Sequence, residues 1–333
     1  MKREAYLYHK IEDSKVRCFL CNHNCVIIDS EYGFCGVRKN EKGILYSDVY
    51  AEPAALHVDP IEKKPLYHFY PGSLSYSMAT IGCNFRCEFC QNWQISQRSK
   101  SDFKPERIVL PEDIAYYAKE NNCSSISYTY TEPTVFFEYA YDIAKIAHKE
   151  GLHNIFVTNG YMSTEAIDKI APYLNAANVD LKSFNDGFYV KNCKAHLKPV
   201  LDSIKYMKER GIWIEITTLI IPGENDSGQE LMQLADFVAS VGVEIPWHIS
   251  RFHPDYKYLK SESTPIETLK MAKEIARSRG LRYVYLGNVF EGNDSLCYNC
   301  AKLLIKRSGL NLSANNLDSG SCPYCGVSID GLF

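Results

Sequence analysis

Gly82-Cys83-Asn84-Phe85-Arg86-Cys87-Glu88-Phe89-Cys90-Gln91-Asn92-Trp93 decides how the rest of the chain is read. It follows an apolar run, Tyr76 to Ile81, with the character of a strand. Three cysteines spaced Cys-x3-Cys-x2-Cys therefore share one tight loop at a strand end. Four thiolates close a metal or cluster completely, whereas three leave one corner open to a small ligand. An iron–sulfur cluster on Cys83, Cys87 and Cys90, with one iron open, is the device needed to push an electron into a bound molecule. The competing reading is a zinc knuckle completed from elsewhere, but zinc favours two-residue spacings. Phe89 before the last cysteine and the βα repeat below also argue against it.

Composition narrows the setting. A chain of 333 residues can bury a large core and fits one big domain with appendages. Its 37 basic and 40 acidic residues nearly balance and form no dense basic stripe, so nucleic acid is not an expected partner. No apolar run approaches the ~20 residues that span a bilayer. Charged residues interrupt Met1-Lys2-Arg3-Glu4-Ala5-Tyr6, so it begins no signal peptide. A cytoplasmic protein with no membrane partner is expected.

Thirteen cysteines in a reducing cytosol argue for metal or cluster binding rather than disulfides. Cys18, Cys21, Cys25 and Cys35 lie in a turn-rich segment too short to own a core, and suit either a structural zinc or an auxiliary cluster. Cys297, Cys300, Cys322 and Cys325 form two Cys-x2-Cys pairs, the second as Cys-Pro-x-Cys-Gly. This reads as a zinc ribbon, with rubredoxin-like iron as the alternative. Residues 1–73 are expected to be a Cys-rich segment and lead-in, 74–290 the core, and 291–333 the ribbon module. His57 and His68, in the aromatic lead-in, read as packing.

From residue 75 strand-like runs alternate with helical periodicity. The runs are Ser75–Gly82, Ser125–Tyr130, Asn154–Asn159, Ala177–Leu181, Trp213–Ile221 and Trp247–Phe252, with Arg282–Leu286 as a further candidate. Six βα units imply α/β architecture with parallel strands and right-handed crossovers. The rival is a doubly wound open sheet, but the first strand carries no Gly-x-Gly-x-x-Gly.

The Cys-x3-Cys-x-aromatic-Cys loop resembles the signature of the radical S-adenosylmethionine (SAM) superfamily. That resemblance favours a partial (β/α)6 TIM-type barrel with small Cys-rich appendages at both ends. It implies a [4Fe-4S] cluster on Cys83, Cys87 and Cys90 and SAM as cosubstrate. In barrels of this kind the C-terminal strand ends build the site. Phe89 joins the cofactor-binding set through the signature. Thr131 and Glu132 stand where the superfamily binds the methionine ammonium, although Tyr130-Thr131 replaces the usual glycines. Glu132 as a helix N-terminal charge is the plainer alternative. Asn159 is similar to a residue of glycyl-radical activating enzymes that holds the SAM amino group; a turn asparagine before Gly160 reads the same way. Alternation turns Asp180 and Lys182 toward the barrel axis, where the activases contact the SAM ribose and carboxylate. Pro222-Gly223 and His253 resemble activase positions near the adenine. Cys193, in the loop after the fourth strand, is a candidate for radical transfer if it faces the barrel mouth, and otherwise an incidental thiol.

Taken together, Cys18 to Cys25, Gly33 to Arg38, Asp59 to His68 and Gly82 to Ser96 resemble the radical SAM member of the AmmeMemoRadiSam system, akin to pyruvate formate-lyase activating enzymes. The resemblance implies one electron from a flavodoxin or ferredoxin, cleavage of SAM to a 5′-deoxyadenosyl radical, and hydrogen abstraction from a substrate of unknown identity. It also implies a protein substrate or a Memo-like partner protein. A small metabolite or peptide substrate, or a non-catalytic metal-stapled scaffold, are the alternatives.

Overall fold

In the computed structural model, which describes all 333 residues, runs buried on both faces make parallel strands, as apolar runs covered by helices do. The central sheet has eight strands: β1 (Ala55–Pro60), β2 (Leu74–Ala79), β3 (Ser125–Tyr128), β4 (His153–Thr158), β5 (Ala176–Asp180), β6 (Trp213–Ile220), β7 (Trp247–Arg251) and β8 (Val284–Gly287). They lie side by side in chain order. Every neighbouring pair is parallel except β1 and β2, which are antiparallel. No ladder joins β1 to β8. Residues at the ends of β2 through β8 nevertheless line one cavity, so the sheet curls into a barrel that stays open along one side.

Six helices follow the strands from β2 to β7: α1 (Pro111–Glu120), α2 (Phe137–Lys149), α3 (Thr164–Ile170), α4 (Leu197–Glu209), α5 (Gly228–Val241) and α6 (Ile266–Ser278). Their starts are set by local chemistry. Pro111 opens α1, and the Ser163 and Ser227 hydroxyls accept from the backbone N–H groups of Ala166 and Glu230. Gly211, at φ +77°, turns the chain after α4, a conformation open to glycine at no steric cost.

The lead-in departs from the sequence expectation. Ala55–Pro60 is the edge strand of the sheet, so the boundary expected at residue 73 falls inside it. The N-terminal segment also shares its core with the barrel, since Val16, Leu20, Ile27 and Val37 belong to the same buried cluster as the sheet and helices. The C-terminal module forms a smaller core in which Leu304, Ile305 and Ile329 pack with Tyr67, Tyr283 and Tyr285.

Residues 65–68 cross the interior of the barrel and are held by one buried carboxylate. Glu215 accepts from the backbone N–H groups of Tyr67 (3.0 Å) and His68 (2.8 Å), from Trp213 Nε1 (3.2 Å) and from His248 Nε2 (2.7 Å). Burial alone would raise its pKa, but these partners, His248 foremost, hold it below the usual carboxylate range. Glu215 is thus a structural anchor.

His68 makes a testable pH dependence. Its ring is buried, with Nδ1 2.7 Å from the Asp330 carbonyl and Nε2 2.6 Å from the Tyr285 hydroxyl. A neutral ring satisfies both, donating to the carbonyl and accepting from the hydroxyl. Burial pushes its pKa down to about 4. Between about pH 6.5 and that value the unfolded chain binds a proton that the folded chain refuses, so stability falls as pH falls through this window. The expected loss is about 3 kcal/mol. Urea unfolding across the window checks it; in His68→Gln the dependence should flatten by that amount, and an unchanged slope would refute the assignment.

Candidate functional site

The loop after β2 is fixed from several sides before any chemistry is asked of it. Gly82 sits at φ +89°, and a Cβ there would stand 2.6 Å from Val37 Cγ1 and 3.0 Å from the Cys35 carbonyl oxygen. Only glycine allows that approach of the N-terminal segment. The Arg86 backbone N–H donates to the Cys193 carbonyl (2.9 Å) and that of Glu88 to the Asn192 carbonyl (3.1 Å). The Arg86 guanidinium donates to the Cys83 carbonyl (2.6 Å) and to that of Phe34.

Cys83, Cys87 and Cys90 thereby meet at one end of a cavity of about 780 Å³, whose far wall includes Ser250 and Gly287 at the ends of β7 and β8. Burial pushes the Cys83 thiol well up, and contact with Cys193 together with burial does the same to Cys87. Cys90 Sγ has the Ser96 hydroxyl at 3.1 Å. No three of these sulfurs approach within 4.8 Å of one another. The set is open, as a cluster with a thiolate on each of three irons requires, and unlike a single-ion site. Thr217 Oγ1 is buried on the cavity wall without a hydrogen-bond partner, a free polar group for a bound molecule. On these observations the residues fit a [4Fe-4S] cluster with space beside it for a ligand of SAM's size.

The predicted cofactor residues divide. Phe89, Thr131, Glu132, Asn159, Asp180 and Lys182 all line the cavity. Lys182 Nζ lies 2.9 Å from Asp180 and 6.0 Å from the centre of the Phe89 ring. Burial opposes its charge, but Asp180 outweighs that and keeps its pKa well above the usual lysine value. Glu132 is fully engaged within the protein. It accepts from the Thr134 N–H and hydroxyl, the Thr158 hydroxyl (2.8 Å) and the Asn159 N–H (2.8 Å). It caps the short turn at Pro133–Phe136, the plainer of the two readings above. Asn159 Oδ1 accepts from the Tyr161 N–H, while its Nδ2 donates to Asn84 Oδ1 (2.8 Å) and stands 3.8 Å from Cys83 Sγ. It therefore ties the end of β4 to the cysteine loop.

Two candidates are corrected. Cys193 does not face the barrel mouth; it is fully buried against Cys87 and absent from the cavity wall, because the 186–193 turn folds under the cysteine loop. His253 is exposed, with its ring 3.1 Å from the Ser263 hydroxyl, and does not line the cavity. Arg251 Nε and the Phe252 N–H bond to Thr264 and send the chain outward before His253.

Sequence reasoning missed Tyr130, Asp59 and Asn225. Tyr130 has φ +61°, the backbone conformation a glycine would supply. Its hydroxyl donates to Asp59 and its ring lies 5.0 Å from Lys64 Nζ. Burial would raise Asp59, but Lys63, Lys64 and Tyr130 outweigh it and hold the carboxyl well below the usual range. Asn225 carries the β6 turn, with Nδ2 2.7 Å from the Lys182 carbonyl. The Tyr130-Thr131 departure from glycines was the available signal for Tyr130, Asp59 opens the Asp59 to His68 stretch that carries the resemblance, and Asn225 lies in the turn after Pro222-Gly223.

The C-terminal cysteines are arranged differently. All four sulfurs lie within 4.8 Å of one another, with Cys297–Cys325 at 3.7 Å and Cys300–Cys322 at 3.6 Å. Metal–sulfur bonds of about 2.3 Å in a tetrahedron put sulfurs about 3.8 Å apart. This set fits one tetrahedral ion. The Asn299 amide, 3.5 Å from Cys325 Sγ, brings that thiol down to about 6.

An open α/β barrel with three cysteines on the loop after its first parallel strand is the architecture of an enzyme class, and sequence comparison assigns the class. Residues 78–238 match the model of the Radical SAM superfamily. An uncharacterized protein of Methanocaldococcus jannaschii is 48% identical over 98% of this chain and 99% of its own length. The pyruvate formate-lyase 1-activating enzyme of Escherichia coli (strain K12) is 24% identical, covering 61% of this chain and 89% of that one. The crystal structure of Streptococcus suis SuiB bound to S-adenosylmethionine superimposes with a TM-score of 0.52 at 15% identity, covering 68% of this chain and 53% of that one. The chain belongs to the radical SAM superfamily. Named activating enzymes are among its relatives at 24–26% identity, and membership implies SAM and a [4Fe-4S] cluster. No helix is long and apolar enough to cross a membrane.

Proposed function

We propose that the protein reductively cleaves SAM at a [4Fe-4S] cluster held by Cys83, Cys87 and Cys90 and abstracts hydrogen from a C–H bond of a protein substrate. The observation that carries this reading is the convergence of three thiols from one rigid loop on a cavity whose wall holds Phe89, Asp180 and Lys182. Bound there, cluster and SAM supply the electron and the 5′-deoxyadenosyl radical. The chain's own residues bind and orient. Lys182 offers a buried cation to the methionine carboxylate, and Asp180 an acceptor to the ribose hydroxyls. The Asn159 amide donates toward Cys83 Sγ and fixes the loop. On the cavity wall, the Thr131 hydroxyl donates to the Thr80 carbonyl (2.9 Å) and still has acceptor capacity. A protein substrate is in keeping with the activating-enzyme relatives. A flavodoxin or ferredoxin is the proposed electron donor, and zinc the proposed ion at Cys297, Cys300, Cys322 and Cys325.

The test is an anaerobic assay of the iron- and sulfide-reconstituted protein with dithionite and SAM, read as 5′-deoxyadenosine. Deoxyadenosine accompanied by bound iron and sulfide supports the reading. Its absence from protein that binds only zinc moves the assignment to a metal-stapled scaffold.

A further inference from the structure

The two four-cysteine groups differ in how their sulfurs are spread. The C-terminal sulfurs close on one another, while no three of those of Cys18, Cys21, Cys25 and Cys35 lie within 4.8 Å. The N-terminal four still belong to one place. The Cys18 N–H donates to the Cys25 carbonyl (2.9 Å), and all four residues line a single small cavity of about 20 Å³ with Leu20, Ile27 and Arg38. The sulfurs of a single tetrahedral ion stand about 3.8 Å apart, and these four do not close to that spacing as the C-terminal four do.

The wall carries two unused donors. Arg38 is buried, and its terminal nitrogens bond to Glu138 (2.8 and 3.0 Å) and to the Tyr6 carbonyl (3.0 Å), but its Nε has no partner. Asn84 is wholly buried, its Oδ1 is used by Asn159, and its Nδ2 has no partner. Buried donors left without acceptors are destabilising. Two of them, one on a cation, lining one sulfur-walled cavity, point to an anionic occupant rich in acceptor atoms.

We propose that Cys18, Cys21, Cys25 and Cys35 hold a second, four-thiolate [4Fe-4S] cluster rather than a single zinc ion. Its bridging sulfides accept from Arg38 Nε and Asn84 Nδ2, and the buried guanidinium offsets its negative charge. Asn84 adjoins Cys83, so the site lies one residue from the central loop. The assignment is independent of what the central loop does.

The test uses the full chain with Cys83, Cys87 and Cys90 all changed to Ala, reconstituted anaerobically with iron and sulfide. The expected result is about four irons and about four sulfides per chain, lost on adding Cys18→Ser and Cys35→Ser. Zinc retained at these cysteines, one iron without sulfide, or no metal there would overturn the proposal. Should the triple variant fail to fold, the native chain decides: about eight irons per chain supports a second cluster and about four refutes it.

Discussion

Cys87→Ala is expected to abolish formation of 5′-deoxyadenosine from SAM while leaving the C-terminal metal in place. Cys87 is the middle of the three thiols and is buried, so water cannot replace it from solvent, and adding Cys193→Ala removes the one other thiol in contact with it. Outer partners of metal ligands alone are worth about 10–100-fold; removal of a ligand should cost more than about 100-fold. The C-terminal sulfurs pack in their own small core with Tyr67, Tyr283 and Tyr285, so the metal content there should not change. The two readouts, deoxyadenosine and C-terminal metal per chain, separate loss of the site from loss of the fold. Cleavage retained at more than a tenth of the native rate would refute the three-thiolate assignment.

Glu138→Ala is expected to destabilise the fold by about 3–5 kcal/mol, the cost of stranding a buried charge. Glu138 opens α2, is fully buried, and binds Arg38 through both oxygens at 2.8 and 3.0 Å while also accepting from the Tyr6 N–H at 2.7 Å. Arg38 is equally enclosed and loses its counter-charge in the variant. Burial penalises its charged form, and Glu138 outweighs this to hold its pKa above the usual arginine value. Denaturant midpoints of the two proteins give the difference. The double variant Arg38→Met/Glu138→Leu should recover most of it, because a buried pair replaced by apolar groups of similar volume is often neutral. A Glu138→Ala loss below about 1 kcal/mol would show the pair to be dispensable.

These two residues also mark where sequence reading stops. Arg38 and Glu138 are a hundred positions apart and sit in segments read separately, one as Cys-rich lead-in and one as a helix face. Their pairing follows from how the N-terminal segment packs on the barrel. Likewise Ala55–Pro60 alternates too weakly to announce a strand: it pairs along β2 only, and five of its six residues are exposed or half-exposed. Gly82 is visible as a glycine, but that its missing Cβ admits Val37 is a fact of packing.

The sequence by itself determined the cysteine spacings, the βα alternation and the strand-end positions of Asn159, Asp180 and Lys182. Each rests on local rules: ligand spacing within a turn, periods of 3.6 and 2, and alternation of side chains across a sheet. Those rules act over a few residues, and folding does not rewrite them. Only the tertiary structure decided that Cys193 lies beneath the cysteine loop, that His253 points away, and that Glu132 spends its oxygens on Thr134, Thr158 and Asn159. It alone distinguished the spread N-terminal sulfurs from the closed C-terminal ones. Distances between thiols on different turns, and the saturation of a buried carboxylate, depend on how segments far apart in the chain are brought together, and no local pattern encodes them.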